Sequence, residues 1–68
     1  MSKLSKNLKM LRSRAGWSQE LTAHNLGMSR SRYSAYEEYR AEPNISNLIK
    51  ISELFEVSID DLLKTIIK

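Results

Sequence analysis

Residues 17–37, WSQELTAHNLGMSRSRYSAYE, decide the fold of this 68-residue chain, because they predict two short helices joined by a tight turn. Ser18 can cap the first helix with its side chain, and Leu21 and Leu26 are expected to supply the apolar contacts of that helix. Gly27 then stands where a helix ends in the left-handed conformation, which glycine adopts without steric cost. A helix, a glycine turn and a second short helix form the unit that inserts into the DNA major groove.

The second helix of this pair, about residues 29–38, is predicted to have two unlike faces. Ser29 can cap it, and Tyr33 and Tyr36 lie three residues apart and are expected to point into the core. At about 100° per residue, the outward row consists of small or acidic residues, namely Ser31, Ser34, Ala35 and Glu38. Arg30 and Arg32 flank this row on opposite sides. Such a face can approach base edges, with arginine on guanine or phosphate and an alanine methyl on thymine. The alternative is an ordinary solvated helix face.

The remainder of the chain predicts three more helices and no strand. The first helix stops at Gly16 and carries apolar residues at helical spacing, namely Leu4, Leu8, Leu11 and Ala15. A fourth helix follows the loop that ends at Pro43, with Asn44 as its cap, and a fifth begins at Ser58. The chain shows no internal repeat, low-complexity tract or linker. It therefore predicts one compact all-α domain of five helices over residues 1–68.

Charge is unevenly distributed along the chain, whose net charge is +3. Residues 1–40 hold eight basic and three acidic side chains, a net charge of +5. Residues 41–68 hold three basic and five acidic side chains, a net charge of −2. The half that contains the predicted helix pair is thus the basic half, as a surface that faces phosphates requires.

Composition argues against several other classes of function. There is no cysteine for a disulfide or a thiolate metal site, and the single histidine, His24, cannot form a metal site alone. No apolar run approaches the roughly 20 residues that span a membrane, and no secretory leader is visible. The acidic pair Asp60 and Asp61 is explained by the first turn of the last helix. We therefore expect a soluble intracellular protein without a metal, a cofactor or a catalytic site.

Short motifs recur along most of the chain in a definite order and spacing. They are L-K-x-L-R at residues 8–12 followed by Gly16, then Ser18-Gln19, Leu26-Gly27-x-Ser29, Tyr36-Glu37, Pro43, Leu48 with Ile51, and Val57-Ser58-x-Asp60-x-Leu62. Residues 8–63 therefore resemble the Cro/C1-type (XRE family) helix–turn–helix domain of bacterial and phage repressors. The resemblance implies a lambda-repressor-like DNA-binding fold that acts without a cofactor.

The same resemblance implies roles for individual residues. The residues expected to contact DNA phosphates are Gln19, Ser29 and Arg40. The residues expected to face the bases, or to lie close to them, are Arg30, Ser31, Arg32, Ser34 and Ala35. Arg12 and Glu37 correspond to a buried ion pair that joins the first and third helices in some relatives, which gives them a structural role.

Three positions depart from the family pattern. The family usually has leucine at position 22 and a polar residue at position 21, so either the second helix is rotated or Thr22 is accommodated by a backbone hydrogen bond. Tyr39 stands where glycine commonly ends the third helix, so either this residue is strained or the turn differs. Glu38 lies near the expected DNA face and would repel phosphate, unless it accepts from a cytosine amine or turns to Arg40.

These observations favour a sequence-specific DNA-binding transcriptional regulator, a repressor, located in the cytoplasm of a bacterium or encoded by a phage, and associated with the nucleoid. A small domain gathers few phosphate contacts, so we expect a homodimer on a palindromic operator. The candidate interface residues are Val57, Ile59, Ile66 and Ile67. Alternatively, Ile59 and Ile66 complete the core, and the tail Ile67-Lys68 is frayed.

Two other functions stay open at the level of sequence. An antitoxin of a toxin–antitoxin pair, or the controller of a restriction–modification system, resembles the same fold and size. A helical protein-interaction module that has lost DNA binding is the alternative from another class, and Glu38 and Tyr39 are its best support. Salt dependence separates a DNA-binding protein from a protein-interaction module, because binding to DNA weakens steeply as salt rises.

Overall fold

Five α-helices account for most of the computed structural model, which describes residues 2–67. They are α1 (Leu4–Ala15), α2 (Gln19–Leu26), α3 (Arg30–Glu37), α4 (Ile45–Phe55) and α5 (Ile59–Lys64). No strand occurs among the described residues, and none of their helices is both long and apolar enough to cross a bilayer. The predicted all-α, five-helix fold is confirmed.

Side-chain caps fix where four of the helices begin. The capping oxygens belong to Ser18, Ser29, Asn44 and Ser58, and each accepts a hydrogen bond from the backbone N–H three residues further along, at 2.8–3.2 Å. Each cap satisfies one of the N–H groups that a helix start leaves without a partner. Gly16 and Gly27 end α1 and α2 in the left-handed conformation, at φ 73° and 70°. The residues predicted to bound α2 and α3 therefore do so.

All five helices contribute to the core. Tyr33 of α3 is fully buried there together with Leu8 of α1, Ile51 of α4 and Leu62 of α5. Buried apolar area of this kind contributes roughly 25 cal/mol per Å² to folding. Ala15, which the spacing placed on the same stripe as Leu8, is instead exposed.

Packing of α2 differs from the sequence prediction. Of the two leucines expected to supply the apolar contacts of α2, Leu26 does so at 3% exposure, but the expectation is wrong for Leu21, which is 43% exposed. Thr22 is fully buried in its place, beside Ala23 and Leu26. The Thr22 hydroxyl donates to the carbonyl oxygen of Ser18 at 2.8 Å, so it is buried with its hydrogen bond made. The departure at position 22 is therefore accommodated by a backbone hydrogen bond.

A buried amide ties the end of the chain to α1. Asn7 is 1% exposed, and its Nδ2 atom donates to the carbonyls of Leu62 at 2.8 Å and Thr65 at 2.7 Å. Its Oδ1 atom accepts from the backbone N–H of Ile67 at 3.0 Å. These bonds satisfy carbonyls at the end of α5 that have no partner within the helix. Asn7 therefore sets the direction in which the chain leaves the core.

The four residues predicted for a dimer interface have different surroundings. Val57, Ile59 and Ile67 are partly buried and pack against the core, whereas Ile66 is 63% exposed. The alternative that Ile66 completes the core is wrong, and Ile67 is held by Asn7 rather than frayed. Lys68 lies outside the described residues.

Candidate nucleic-acid interface

One face of α3 is exposed and basic, and the opposite face is anchored in the core. Tyr33 and Tyr36 are 0% and 2% exposed, as their spacing predicts. Arg30, Ser31 and Arg32 are exposed, with no bulky apolar side chain among them. Small side chains between two arginines allow the backbone of a helix to come close to a partner surface.

Two open grooves adjoin α3, one on the side of α2 and one on the side of α4. The α2-side groove is lined by Arg12, Ser18, Gln19, Glu20, Leu21, His24 and Arg30. The α4-side groove is lined by Ser29, Ser31, Arg32, Ala35, Tyr36, Ala41, Glu42 and Asn44. Arg30 and Arg32 therefore lie on opposite sides of α3. The major groove of DNA is likewise bounded by a phosphate backbone on each side.

Ala35 is less accessible than its position on the helix predicts. It is only 9% exposed, although it lines the α4-side groove together with Ser31. The cause is the following loop, since the backbone N–H groups of Arg40 and Ala41 both donate to the Ala35 carbonyl, at 2.9 and 3.3 Å. The loop is thereby folded against the last turn of α3. What remains exposed of the Ala35 methyl opens into the α4-side groove.

A buried ion pair joins three helices behind this face. Arg12 Nε donates to Glu37 Oε2 at 2.6 Å and Arg12 Nη2 donates to Glu37 Oε1 at 3.2 Å, which is the two-pronged geometry that guanidinium and carboxylate prefer. Gln19 Nε2 donates to the same Oε1 atom at 3.1 Å. Glu37 is 1% exposed. The start of α2 is thus fixed against α1 and α3.

The charge state of this cluster follows from its contacts. Burial disfavours the charged form of Glu37, but Arg12, the nearby Tyr33 hydroxyl and Gln19, in that order, outweigh it and hold the pKa of the carboxyl below its usual range. Burial, together with the nearby Glu37 carboxylate, raises the pKa of Tyr33. The Tyr33 hydroxyl is buried without a hydrogen-bond partner among the described residues. The cluster therefore consists of one ion pair beside a neutral phenol.

The residues predicted to bind phosphates are already engaged within the protein. Gln19 donates to Glu37, as described above. The Ser29 hydroxyl accepts from the backbone N–H of Arg32 at 3.2 Å. Arg40 Nε pairs with Glu38 Oε1 at 3.0 Å, so Glu38 turns to Arg40, as one of the sequence alternatives requires. Two of the three predicted phosphate ligands are thus bonded to adjacent glutamates at the end of α3.

Tyr39 ends α3 in the conformation that glycine would adopt. Its φ is 62°, in the left-handed region that costs an ordinary residue roughly 1–2 kcal/mol. The turn itself is closed by the bond from the Arg40 N–H to the Ala35 carbonyl. Of the two alternatives at this position, the strained residue is therefore correct, and the turn is not replaced by another.

Sequence reasoning missed two sets of contacts, one behind this face and one at the end of α5. The bond between Gln19 and Glu37 joins residues 18 positions apart, and no local spacing signals it. Asn7 did carry a signal, because an amide three residues after Leu4 falls on the buried side of α1. A polar residue on a core-facing stripe requires buried partners, and the end of α5 supplies them.

The fold and this face define a helix–turn–helix domain. A family model described as helix-turn-helix matches residues 8–62. The chain belongs to this family, which is one of DNA-binding transcriptional regulators and not of enzymes. The predicted resemblance to the Cro/C1-type domain is thereby confirmed.

Two proteins of Bacillus subtilis (strain 168) are similar in sequence. The uncharacterized HTH-type transcriptional regulator YqaE is 43% identical over 60 residues, which cover 88% of this chain and 52% of YqaE. The HTH-type transcriptional regulator ImmR is 38% identical over 60 residues, which cover 88% of this chain and 47% of ImmR. This chain spans about half the length of both relatives.

Two solved structures share the fold. The P22 c2 repressor, crystallised with a synthetic operator, superposes with a TM-score of 0.87 at 27% identity, covering 93% of this chain and 96% of the repressor. A hypothetical transcription factor from Neisseria, NHTF, superposes with a TM-score of 0.82 at 34% identity, covering 91% of this chain and 71% of NHTF.

Proposed function

We propose that this chain represses transcription by binding double-stranded DNA at a specific sequence, with α3 in the major groove. The observation that carries the proposal is the exposed face of α3, where Arg30 and Arg32 open onto separate grooves. The operator complex of the structurally similar P22 c2 repressor supports the same use of the fold. The location that follows is the bacterial cytoplasm, on the nucleoid.

Within this proposal, base edges are read from the exposed face of α3. Arg30 and Arg32 have the length and donor geometry to reach guanine O6 and N7. Ser31 and Ser34 are short enough to let the helix approach the bases, and Ser31 can accept or donate a hydrogen bond. The Ala35 methyl contributes only where a thymine methyl enters the α4-side groove.

Phosphates are bound at the two edges of this face. Ser29 and Gln19 stand at the starts of α3 and α2, where helix N-termini favour negative charge. Gln19 has a second N–H on Nε2 for a phosphate while the first stays bonded to Glu37. Arg40 reaches a phosphate beside the α4-side groove once it leaves Glu38.

The proposal includes a homodimer on a palindromic operator. One domain of this size gathers few phosphate contacts, and a two-fold dimer doubles them. Of the four candidate residues, Val57, Ile59 and Ile67 already contribute to the core, so Ile66 is the one with a free side chain. An isoleucine this exposed is well suited to a self-complementary contact.

Selection of bound sequences from a random duplex library tests the proposal. We expect a palindromic motif whose half-sites have centres about 10 base pairs, or one helical turn, apart. Recovery of no enriched sequence at low salt would contradict the proposal. An enriched single half-site without symmetry would contradict the dimer and leave sequence-specific DNA binding in place.

A further inference from the structure

An ion pair stands at the exit of α3, directly before two residues that line the α4-side groove. Arg40 Nε lies 3.0 Å from Glu38 Oε1, and the two side chains are 59% and 52% exposed. The residues that follow, Ala41 and Glu42, line the groove itself. If α3 lies in the major groove, which is the proposed function on which this inference rests, a phosphate backbone passes this pair.

The backbone around the pair is held in place. Tyr39 has a positive φ, and the N–H groups of Arg40 and Ala41 both donate to the Ala35 carbonyl. Arg40 can therefore exchange a carboxylate for a phosphate by moving its side chain alone. No rearrangement of the loop is needed for the exchange.

Glu38 carries a charge that is unfavourable at the C-terminal end of α3. It is the C-terminal cap residue of α3, and α3 has no basic residue in its last turn. The C-terminus of a helix carries a partial negative charge, so a carboxylate there is unfavourable. The same carboxylate repels the phosphates of DNA. What the charge of Glu38 does provide is a partner for Arg40.

We propose that Glu38 is an internal competitor for Arg40, which lowers the affinity of the domain for DNA. A phosphate must displace the Glu38 carboxylate before Arg40 can bind it. Exposed ion pairs of this kind change an equilibrium by about 1.4- to fivefold. Glu38 therefore acts on binding strength and not on the choice of sequence, because it reaches DNA through a phosphate ligand.

A double-mutant cycle tests this role, with dissociation constants measured by fluorescence anisotropy on one selected duplex. The four proteins are the unaltered chain, E38Q, R40A and the double variant. We expect E38Q to bind about two- to fivefold tighter than the unaltered chain. In the R40A background the same substitution should tighten binding by a smaller factor, because only the repulsion between the Glu38 carboxylate and the phosphates is then removed.

Glu42→Gln is the matched control. Glu42 lines the same groove, and it forms no ion pair with another residue in the described range 2–67. A carboxylate that weakens binding only by repelling DNA phosphates does so by the same factor whether or not Arg40 is present. E42Q should therefore change the affinity by the same factor in both backgrounds. Circular dichroism melts check folding, and we expect E38Q to be no less stable than the unaltered chain.

Two results would overturn the competitor role. One is an unchanged affinity of E38Q. The other is equal tightening of E38Q in both backgrounds, which would assign the effect to general repulsion. If the unaltered chain binds DNA tightly and either result is found, the competitor role is refuted and the proposed function stands. An unaltered chain that binds no DNA refutes the proposed function and the inference together.

Discussion

Glu37 illustrates how one buried carboxylate organises the surroundings of α3. It receives two hydrogen bonds from Arg12 and one from Gln19, and these come from α1 and from the start of α2. Removing one partner of such a pair leaves the other charge without compensation, which costs more than the pair contributes in isolation. Because Arg12 is 22% exposed, water can offset part of that cost.

Glu37→Gln should destabilise the domain at neutral pH by about 1.5–3 kcal/mol, the usual range for hydrogen bonds to a charged group. The pKa of Glu37 is lowered in the folded state, so its contribution is fully present above the pKa of the unfolded chain, near 4.3. The contribution is lost as pH falls from that value through the folded pKa. Urea unfolding of both proteins between pH 7 and pH 3 should therefore show a difference that shrinks below about pH 4. A difference that stays constant across this range would contradict the assignment.

At the scale of the element, Asn7 joins α1 to the end of α5. Four hydrogen bonds involve its side chain, and all of them go to backbone groups between Asp61 and Ile67. α5 has only six residues, too few to be a stable helix by itself. Its position therefore depends on its packing and on this amide.

Asn7→Ala should lower the free energy of unfolding by about 2–3 kcal/mol, because it leaves buried carbonyls at the end of α5 without partners. Asn25→Ala is the matched control, since Asn25 is exposed in α2. That substitution should stay within about 0.5 kcal/mol of the unaltered chain. Thermal melts followed by circular dichroism measure both, and equal effects at the two positions would show that the Asn7 bonds contribute little.

Helix boundaries were predictable from sequence because they depend on local chemistry. Ser18, Ser29, Asn44 and Ser58 are capping residues wherever they stand, and Gly27 ends α2 by its own conformational freedom. The inward face of α3 was equally readable from its two tyrosines. The caps and the two tyrosines together predict which face of α3 is exposed.

Features that depend on tertiary contacts were not predictable in the same way. Sequence left open whether α2 is rotated or Thr22 is buried with a hydrogen bond to the Ser18 carbonyl, because helical spacing alone does not show which side of α2 the other helices cover. The burial of Ala35 arises from the loop folded across α3. Sequence likewise left open whether Tyr39 would be strained or the turn would change, since both satisfy local chemistry.

At the scale of the whole molecule, the described residues form a body of 25 × 23 × 20 Å. The side proposed to face DNA consists of α3 and the two grooves that adjoin it, and the residues after α5 include the exposed Ile66. A dimer through Ile66 would present two copies of α3 to one duplex. Affinity for a palindrome would then depend on protein concentration as well as on salt.

Ile66→Asp should abolish the dimer without unfolding the domain, because the side chain is 63% exposed. Sedimentation of the unaltered chain and of the variant measures the assembly. Ile45→Asp is the control, since Ile45 is 71% exposed on α4 and is not a candidate interface residue. Loss of the dimer in the control but not in Ile66→Asp would move the interface from the end of α5 to α4.

The most direct test of the central claim is the affinity of arginine variants for the selected operator at fixed salt. Arg30→Ala and Arg32→Ala should each weaken binding by about 5- to 150-fold, as expected for loss of a base contact. Arg14→Ala should change it by less than about threefold, because Arg14 is exposed on α1 and lines neither groove beside α3. Equal, small effects of all three substitutions would contradict the claim that α3 is the element that reads DNA.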